Sequence, residues 1–327
     1  LIQVANAAST PSTPAILREL TARLPLLRPV DAGGAPLEVA FGSHEPPETR
    51  SAELLEDTVM RAHAVSPSAT RTFAAFLDGA QESRIIAWAG GVPIVLATLG
   101  AVIRQRVNGR FSRWRMAHLS LRQCYAPWRQ LAVDPATQGT VGLRDVSEDA
   151  GGGEVHPFRR IQLASNAVKQ DRERLEAQLA GEYCRSDEDP LFVDGNLPAS
   201  DEVRTSARVI GVVKSHHTLY ATGRDLEAVF GLRDGERSSV FVIDSRRRPA
   251  VASWYLRLRH AEHRGPLWGL VRVEVPLPVF ERGVGEEADR RSSWILAERS
   301  PVALPDSRWD TLVYGIQQCE EFLRAVR

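Results

Sequence analysis

Asp189-Pro190-Leu191-Phe192-Val193-Asp194-Gly195-Asn196-Leu197-Pro198 is the stretch on which the reading of this chain turns. Three apolar residues run into an aspartate, and Gly, Asn and Pro then prevent continuation. The segment reads as a short buried strand tipped by a carboxylate. A second copy of the pattern, Ala74-Ala75-Phe76-Leu77-Asp78-Gly79-Ala80, lies upstream. Two strands that each deliver an Asp just before a Gly suit a site where carboxylates converge. The competing explanation is that Asp-Gly is a common turn dipeptide with no chemical role.

Working outward, Arg159 to Ala180 spaces Ile161, Ala164, Val168, Leu175 and Leu179 at near-helical intervals without Gly or Pro. Gly181 is placed to close that helix, and its junction with the Asp194 strand is typical of an α/β layer. Downstream, a short helix (201–207), a strand (209–214), a helix (223–230) and strands at 239–244, 251–258 and 268–275 follow. Residues 281–291 read as a charged surface loop, 294–298 as a strand and 309–326 as a closing amphipathic helix. Upstream, helices are predicted from Ala15 to Leu24 and from Ser51 to His63, with a possible edge strand at 37–41. Strands are predicted at 73–77, 84–89 and 93–99, with Gly90-Gly91 reversing the last two. Residues 104–130 form a basic, aromatic-rich insertion and 131–157 a flexible, Gly-containing loop.

The 327 residues include 41 basic and 41 acidic side chains. Zero formal charge argues against a protein that coats nucleic acid unspecifically, though not against a local basic groove. Three scattered cysteines exclude a disulfide scaffold and a cysteine-rich metal site, and point to the cytoplasm. The most apolar region, Ile85 to Ile103, is interrupted by Gly90-Gly91 and Pro93, so no membrane span is expected. Walker A, HExxH and GxSxG patterns are absent.

Paired carboxylates at strand ends suit phosphodiester cleavage. Mg²⁺ or Mn²⁺ takes hard oxygen ligands, and two ions about 4 Å apart serve the attacking water and the leaving oxygen. Asp78 and Asp194 supply two such ligands. The helix before Asp194 carries Glu173 and Glu176, one of which could lean over the sheet, although solvent exposure is the ordinary state of a helical Glu. Lys214, ending the 209–213 strand, could reach a phosphate from the same sheet end, or be a plain exposed lysine. Arg104, Arg106, Arg110, Arg113 and Arg115, interleaved with Trp114 and Trp128, are candidates for DNA contact by phosphate pairing and base stacking. Arg and Trp are equally enriched at protein interfaces.

In order, Phe76-Leu77-Asp78-Gly79, the helix with Arg172-Glu173, Leu191-Phe192-Val193-Asp194-Gly195-Asn196-Leu197 and Val209-Ile210-Gly211-Val212-Val213-Lys214-Ser215 resemble the motifs of the NurA nuclease family. The resemblance spans about residues 70 to 327. It implies an RNase H-like mixed sheet flanked by helices, Mn²⁺- or Mg²⁺-dependent DNA cleavage, a homodimer, and partnership with a HerA-type hexameric ATPase in repair or defence against foreign DNA. It assigns Asp78 and Asp194 as catalytic carboxylates, with Glu173 (or Glu176) between them. The family's histidine near the closing helix is replaced here: Asp310 stands five residues beyond Pro305 and is the expected substitute. A family tyrosine corresponds to Tyr255 or Tyr314.

The resulting expectation is an N-terminal helical extension over 1–68, serving a dimer or partner contact through Ile16, Leu17, Leu20, Leu24 and Leu27, followed by a nuclease domain over 69–327. The same helix could instead cover the sheet of its own subunit. Two further functions fit the sequence: a catalytically inactive scaffold that binds DNA or the ATPase, and a hydrolase of small phosphoesters.

Overall fold

The computed structural model describes residues 12–24, 26–30, 46–131, 143–148, 155–245, 248–259, 265–280, 283–299 and 311–326. Its centre is a meander of three long strands, β1 (Ala75–Ala89), β2 (Val92–Val107) and β3 (Arg110–Ala126). Both reversals use residues with positive φ, Gly90-Gly91 (55° and 77°) and Asn108-Gly109 (51° and 76°). That is the turn geometry whose twist matches paired strands. The expected strands at 73–77 and 84–89 are therefore one strand. The basic insertion is no insertion: it is the far end of β2, the turn and all of β3.

Four-residue β4 (Leu191–Asp194) lies parallel to β1, with Leu77 opposite Val193, and β5 (Val209–Val213) lies parallel to β4. The order β3-β2-β1-β4-β5, with β2 alone antiparallel to the others, is the RNase H-like arrangement. Beyond β5 the sheet continues antiparallel through β8 (Leu270–Pro276), β7 (Arg248–Arg257) and β6 (Phe241–Ser245).

Helices cover both faces. α1 (Thr13–Arg23) is capped by the Ser12 hydroxyl, which accepts from Ala15 N–H. Its Ile16 and Leu20, with Leu24 and Leu27, pack on Ile86, Ile94, Cys124 and Trp128. The apolar side chains expected at a partner surface thus cover the chain's own sheet. α2 (Pro157–Ser186) starts with Pro in the first turn, where its missing N–H costs nothing. It lays Ala164, Val168, Leu175 and Leu179 over Leu77, Leu99 and Val193. Gly181 does not end it. The helix runs on to Ser186, and Glu202 Oε2 stands 3.1 Å from where a β-carbon on Gly181 would be. α3 (Asp201–Arg204) and α4 (Gly223–Phe230) follow β4 and β5. α5 (Val284–Glu298) and α6 (Tyr314–Ala325) bury Ala288, Ile295, Ile316, Cys319 and Leu323 against Phe76, Phe192, Val212 and Trp254 on the opposite face.

Two sequence expectations fail for one physical reason: charges are buried in pairs. Over 284–298 the predicted loop and strand are α5, because Glu287 and Arg291 face inward and bond to each other instead of marking a surface. The predicted helix at 51–63 is instead two short strands joined by an irregular segment. Glu53–Leu54 pairs with β6 and Ala62–Ala64 with Glu236–Ser238, while both Glu56 oxygens bind the buried Arg237 guanidinium. The edge strand at 37–41 falls outside the described residues. Among those described, no helix is long and apolar enough to cross a membrane.

Candidate metal centre

Alternation along β1 sends Leu77 toward α2 and Phe76 and Asp78 toward α6. Asp78 is not at a strand tip. β1 continues through Gly79, which pairs with Ala101, and runs on to Ala89. The glycine serves a different need: a β-carbon there would stand 1.9 Å from Glu176 Oε1, so its absence lets α2 lower that carboxylate onto the strand. Asp194, by contrast, does end its strand, and Gly195 makes the reversal at φ 117°. With Leu77 opposite Val193 in parallel register, Asp78 and Asp194 are successive neighbours across two central strands.

The third acid comes from α6. Gly315 allows that helix to press on Phe76, whose ring would lie 2.4 Å from an added β-carbon. One turn on, Cys319 Sγ donates to Phe76 O at 3.2 Å. The adjacent Glu320 then meets the two aspartates: one carboxylate oxygen from each of Asp78, Asp194 and Glu320 lies within 4.8 Å of the others. Glu176 reaches over Gly79 from the opposite face and is held by Arg172 Nη1 at 2.7 Å. Lys214 Nζ donates to Asp194 Oδ2 at 2.9 Å.

The crowding has an electrostatic consequence. Burial, then the charge of Asp194, and more weakly Glu176 and Glu320, hold the Asp78 carboxyl well above the usual carboxylate range, with Lys214 opposing. Burial pushes Glu176 up to about 7, against the pull of Arg172. A cluster of hard carboxylate oxygens, flanked by Lys214, Arg172 and the exposed Arg324, is the donor set that Mg²⁺ or Mn²⁺ takes. A second group, Glu56, Asp57 and His63, also brings its ligand atoms within 4.8 Å. There Arg237 holds both Glu56 oxygens and Ser239 Oγ donates to Asp57, as Lys214 holds Asp194 and Arg324 holds Glu320 in the first cluster.

The remaining candidates are dispersed. Glu173 is exposed and faces Lys169 at 4.0 Å, whereas Glu176 is buried beside the aspartates. Asp310 lies outside the described residues. Arg106 is bound to Glu298 through both terminal nitrogens at 2.8 and 2.6 Å, so its charge is used inside the fold. Arg104 donates to Phe111 O and, like Arg113, lies over the Phe322 ring. Arg110 and Arg115 are exposed. Trp114 and Trp128 are both 3% exposed, the former donating to Asp187, so neither presents a ring for base stacking. Tyr255 is buried against Phe241 with its hydroxyl accepting from Tyr220 N–H, while Tyr314 is exposed and lies against Phe111. Sequence reasoning missed Glu320. Its signal was an acid beside the apolar stripe Ile316, Cys319 and Leu323 of an otherwise readable amphipathic helix.

The chain is thus an α/β protein with an RNase H-like sheet order and an acidic cluster drawn from its two central parallel strands and helix α6. Among solved structures it is similar to the NurA nuclease from Sulfolobus solfataricus, at 11% identity over 84% of this chain and 81% of that one, with a TM-score of 0.45. No protein-family model matches the chain, and no curated protein matches it.

Proposed function

We propose that the chain is a metal-dependent deoxyribonuclease that hydrolyses DNA phosphodiesters with Mn²⁺ or Mg²⁺ held by Asp78, Asp194 and Glu320. The observation that carries this reading is the meeting of those three carboxylates from β1, β4 and α6 within 4.8 Å. A bound divalent ion supplies charge neutralisation at the phosphate and a water of lowered pKa. Around it, Lys214, which donates to Asp194, would leave that acid to neutralise a phosphate oxygen, and Glu176 would add a fourth carboxylate steadied by Arg172.

A long polyanionic substrate fits better than a small phosphoester because Arg110 and Arg115 stand exposed at and beyond the β2–β3 turn, where only an extended molecule would meet both them and the acids. With no net positive charge, autonomous duplex binding is modest and salt-sensitive. Delivery by a ring-shaped motor would compensate by raising the local substrate concentration. The order of motifs shared with NurA nucleases supports a HerA-type hexameric ATPase as that motor, and a homodimer as the working form, in repair or in defence against foreign DNA. The three free cysteines suit a reducing cytoplasm.

The test is DNA cleavage in Mn²⁺ by the parent, Asp78→Asn and Asp194→Asn, with melting curves alongside. Loss of cleavage by at least about a hundredfold in folded variants supports the reading. Unchanged residual activity, or no activity in the parent, favours a scaffold. Turnover of a small phosphodiester without action on DNA would reassign the substrate.

A further inference from the structure

Two ionised side chains have no part in the cluster just described, yet they are among the most deeply buried in the protein. Arg272 and Glu274, on β8, are 5% and 0% exposed. Arg272 Nη1 donates to Glu274 Oε1 at 2.6 Å. Isolating an ion pair this thoroughly removes both charges from water, and such a pair seldom stabilises more than an apolar pair of equal volume would. Its contacts suggest a different use.

Glu274 Oε2 accepts the backbone N–H of Leu197 at 3.0 Å, and Arg272 Nη2 donates to Asn196 Oδ1 at 3.3 Å. Both bonds end on the turn that follows Asp194. The same turn is gripped from below: Gly195 N–H donates to Val212 O, and Gly211 has no β-carbon because one would stand 2.8 Å from Gly195 O and 3.0 Å from Leu197 N. The turn, entered at Gly195 with φ 117°, is thus clamped at each of residues 195, 196 and 197.

We propose that Glu274, with Arg272 as its counter-ion, is a positioning residue, which fixes the 195–197 turn so that Asp194 is aimed at the metal site. The inference rests on the metal-centre reading above. Glu274 is the operative partner, because its second oxygen reaches the backbone, and Arg272 orients that carboxylate while compensating its charge. Outer partners of this kind govern how well the ligands of an ion are held.

Two double variants separate aiming from mere packing. Arg272→Met with Glu274→Gln removes both charges and keeps an oxygen for Leu197 N–H. Arg272→Met with Glu274→Leu removes the charges and that oxygen as well. Mn²⁺ affinity, read by calorimetry and by the manganese resonance spectrum on the full chain, is expected to stay within about threefold of the parent in the first pair. It is expected to fall about tenfold or more in the second. Should the leucine variant fail to fold, Gly211→Ala, which leaves Arg272 and Glu274 in place and pushes on the turn from beneath, is expected to weaken Mn²⁺ binding by a similar factor.

Equal Mn²⁺ affinities in the two double variants, or parent-like affinity in Gly211→Ala, would overturn the proposal while leaving the metal centre intact. A parent chain that binds no Mn²⁺ would remove the metal centre itself, and this inference with it.

Discussion

The Glu176 carboxylate occupies the space that a side chain on Gly79 would need, with Oε1 1.9 Å and Cδ 2.7 Å from an added β-carbon. Gly79→Ala must therefore evict Glu176 or part β1 from α2. Overpacking of this kind costs about 1–3 kcal/mol. Shortening the acid as well, in Gly79→Ala with Glu176→Ala, should recover part of that loss, which a double-mutant cycle of melting curves would measure. A Gly79→Ala chain that melts like the parent would show that the two elements are not so close.

Glu176 also sets a pH dependence. Burial raises its pKa from 4.5 to about 7, so the folded chain holds a proton that the unfolded chain releases. Stability contributed by this group is complete below about pH 4.5 and declines as pH rises toward 7. Glu176→Gln removes the titration. In chelator-treated protein it should raise stability at pH 8 by at most about 3 kcal/mol, since each pKa unit is worth 1.36 kcal/mol, and have little effect near pH 4. Equal effects at both pH values would contradict the assignment. Glu173→Gln, on the exposed side of the helix, should change neither stability nor cleavage.

The acidic cluster places function against stability. Asp78 is disfavoured as an anion by burial and by Asp194 before anything else, so Asp78→Asn should raise the melting temperature of the metal-free protein at neutral pH while abolishing cleavage. Mn²⁺ at a hundred times its dissociation constant should stabilise the parent by about 2.7 kcal/mol and the variant hardly at all. Glu320→Gln should lose the same ligand-induced shift. Glu321→Gln, one residue on and accepting from Gln317 and Gln318 on the helix surface, serves as the control. Loss of the shift in both would point to the helix instead of the site.

Arginines at the β2–β3 end divide into structural and available groups. Reversal of Arg110, Arg113 and Arg115 to Glu should weaken DNA binding and flatten its dependence on salt, each lost phosphate contact lowering the slope by about 0.9. Arg106→Ala should instead unfold the chain more easily, because Glu298 would be left buried without its partner. Lys214→Ala should slow cleavage with only a small change in melting. Filter binding across a salt series decides the first claim, and unchanged slopes would move these arginines to a protein interface.

Local pattern made much of this fold legible. Helix α2, strands β4 and β5 and helix α4 follow from periodicity and from caps or turns that act within a few residues. The Asn108-Gly109 hairpin signal was equally local, and was obscured only by the surrounding arginines. What escaped depended on distant partners. Gly79 reads as a turn until Glu176, 97 positions away, supplies another reason for it. Glu287 and Arg291 read as surface until each is seen to neutralise the other inside α5. Asp194 was readable because its strand and turn adjoin it; Glu320 was not, because nothing near it in sequence says that Gly315 brings its helix onto Phe76.

The three acids stand at positions 78, 194 and 320, and none of the short segments that carry them holds another member of the cluster. A growing polypeptide consequently has no assembled centre until helix α6 has been made and has docked on β1. Any hydrolytic power resides in the finished molecule alone. A chain cut short by premature termination or proteolysis before residue 320 would be a harmless fragment, so a protein built to cut DNA would carry its safeguard in the order of its own synthesis.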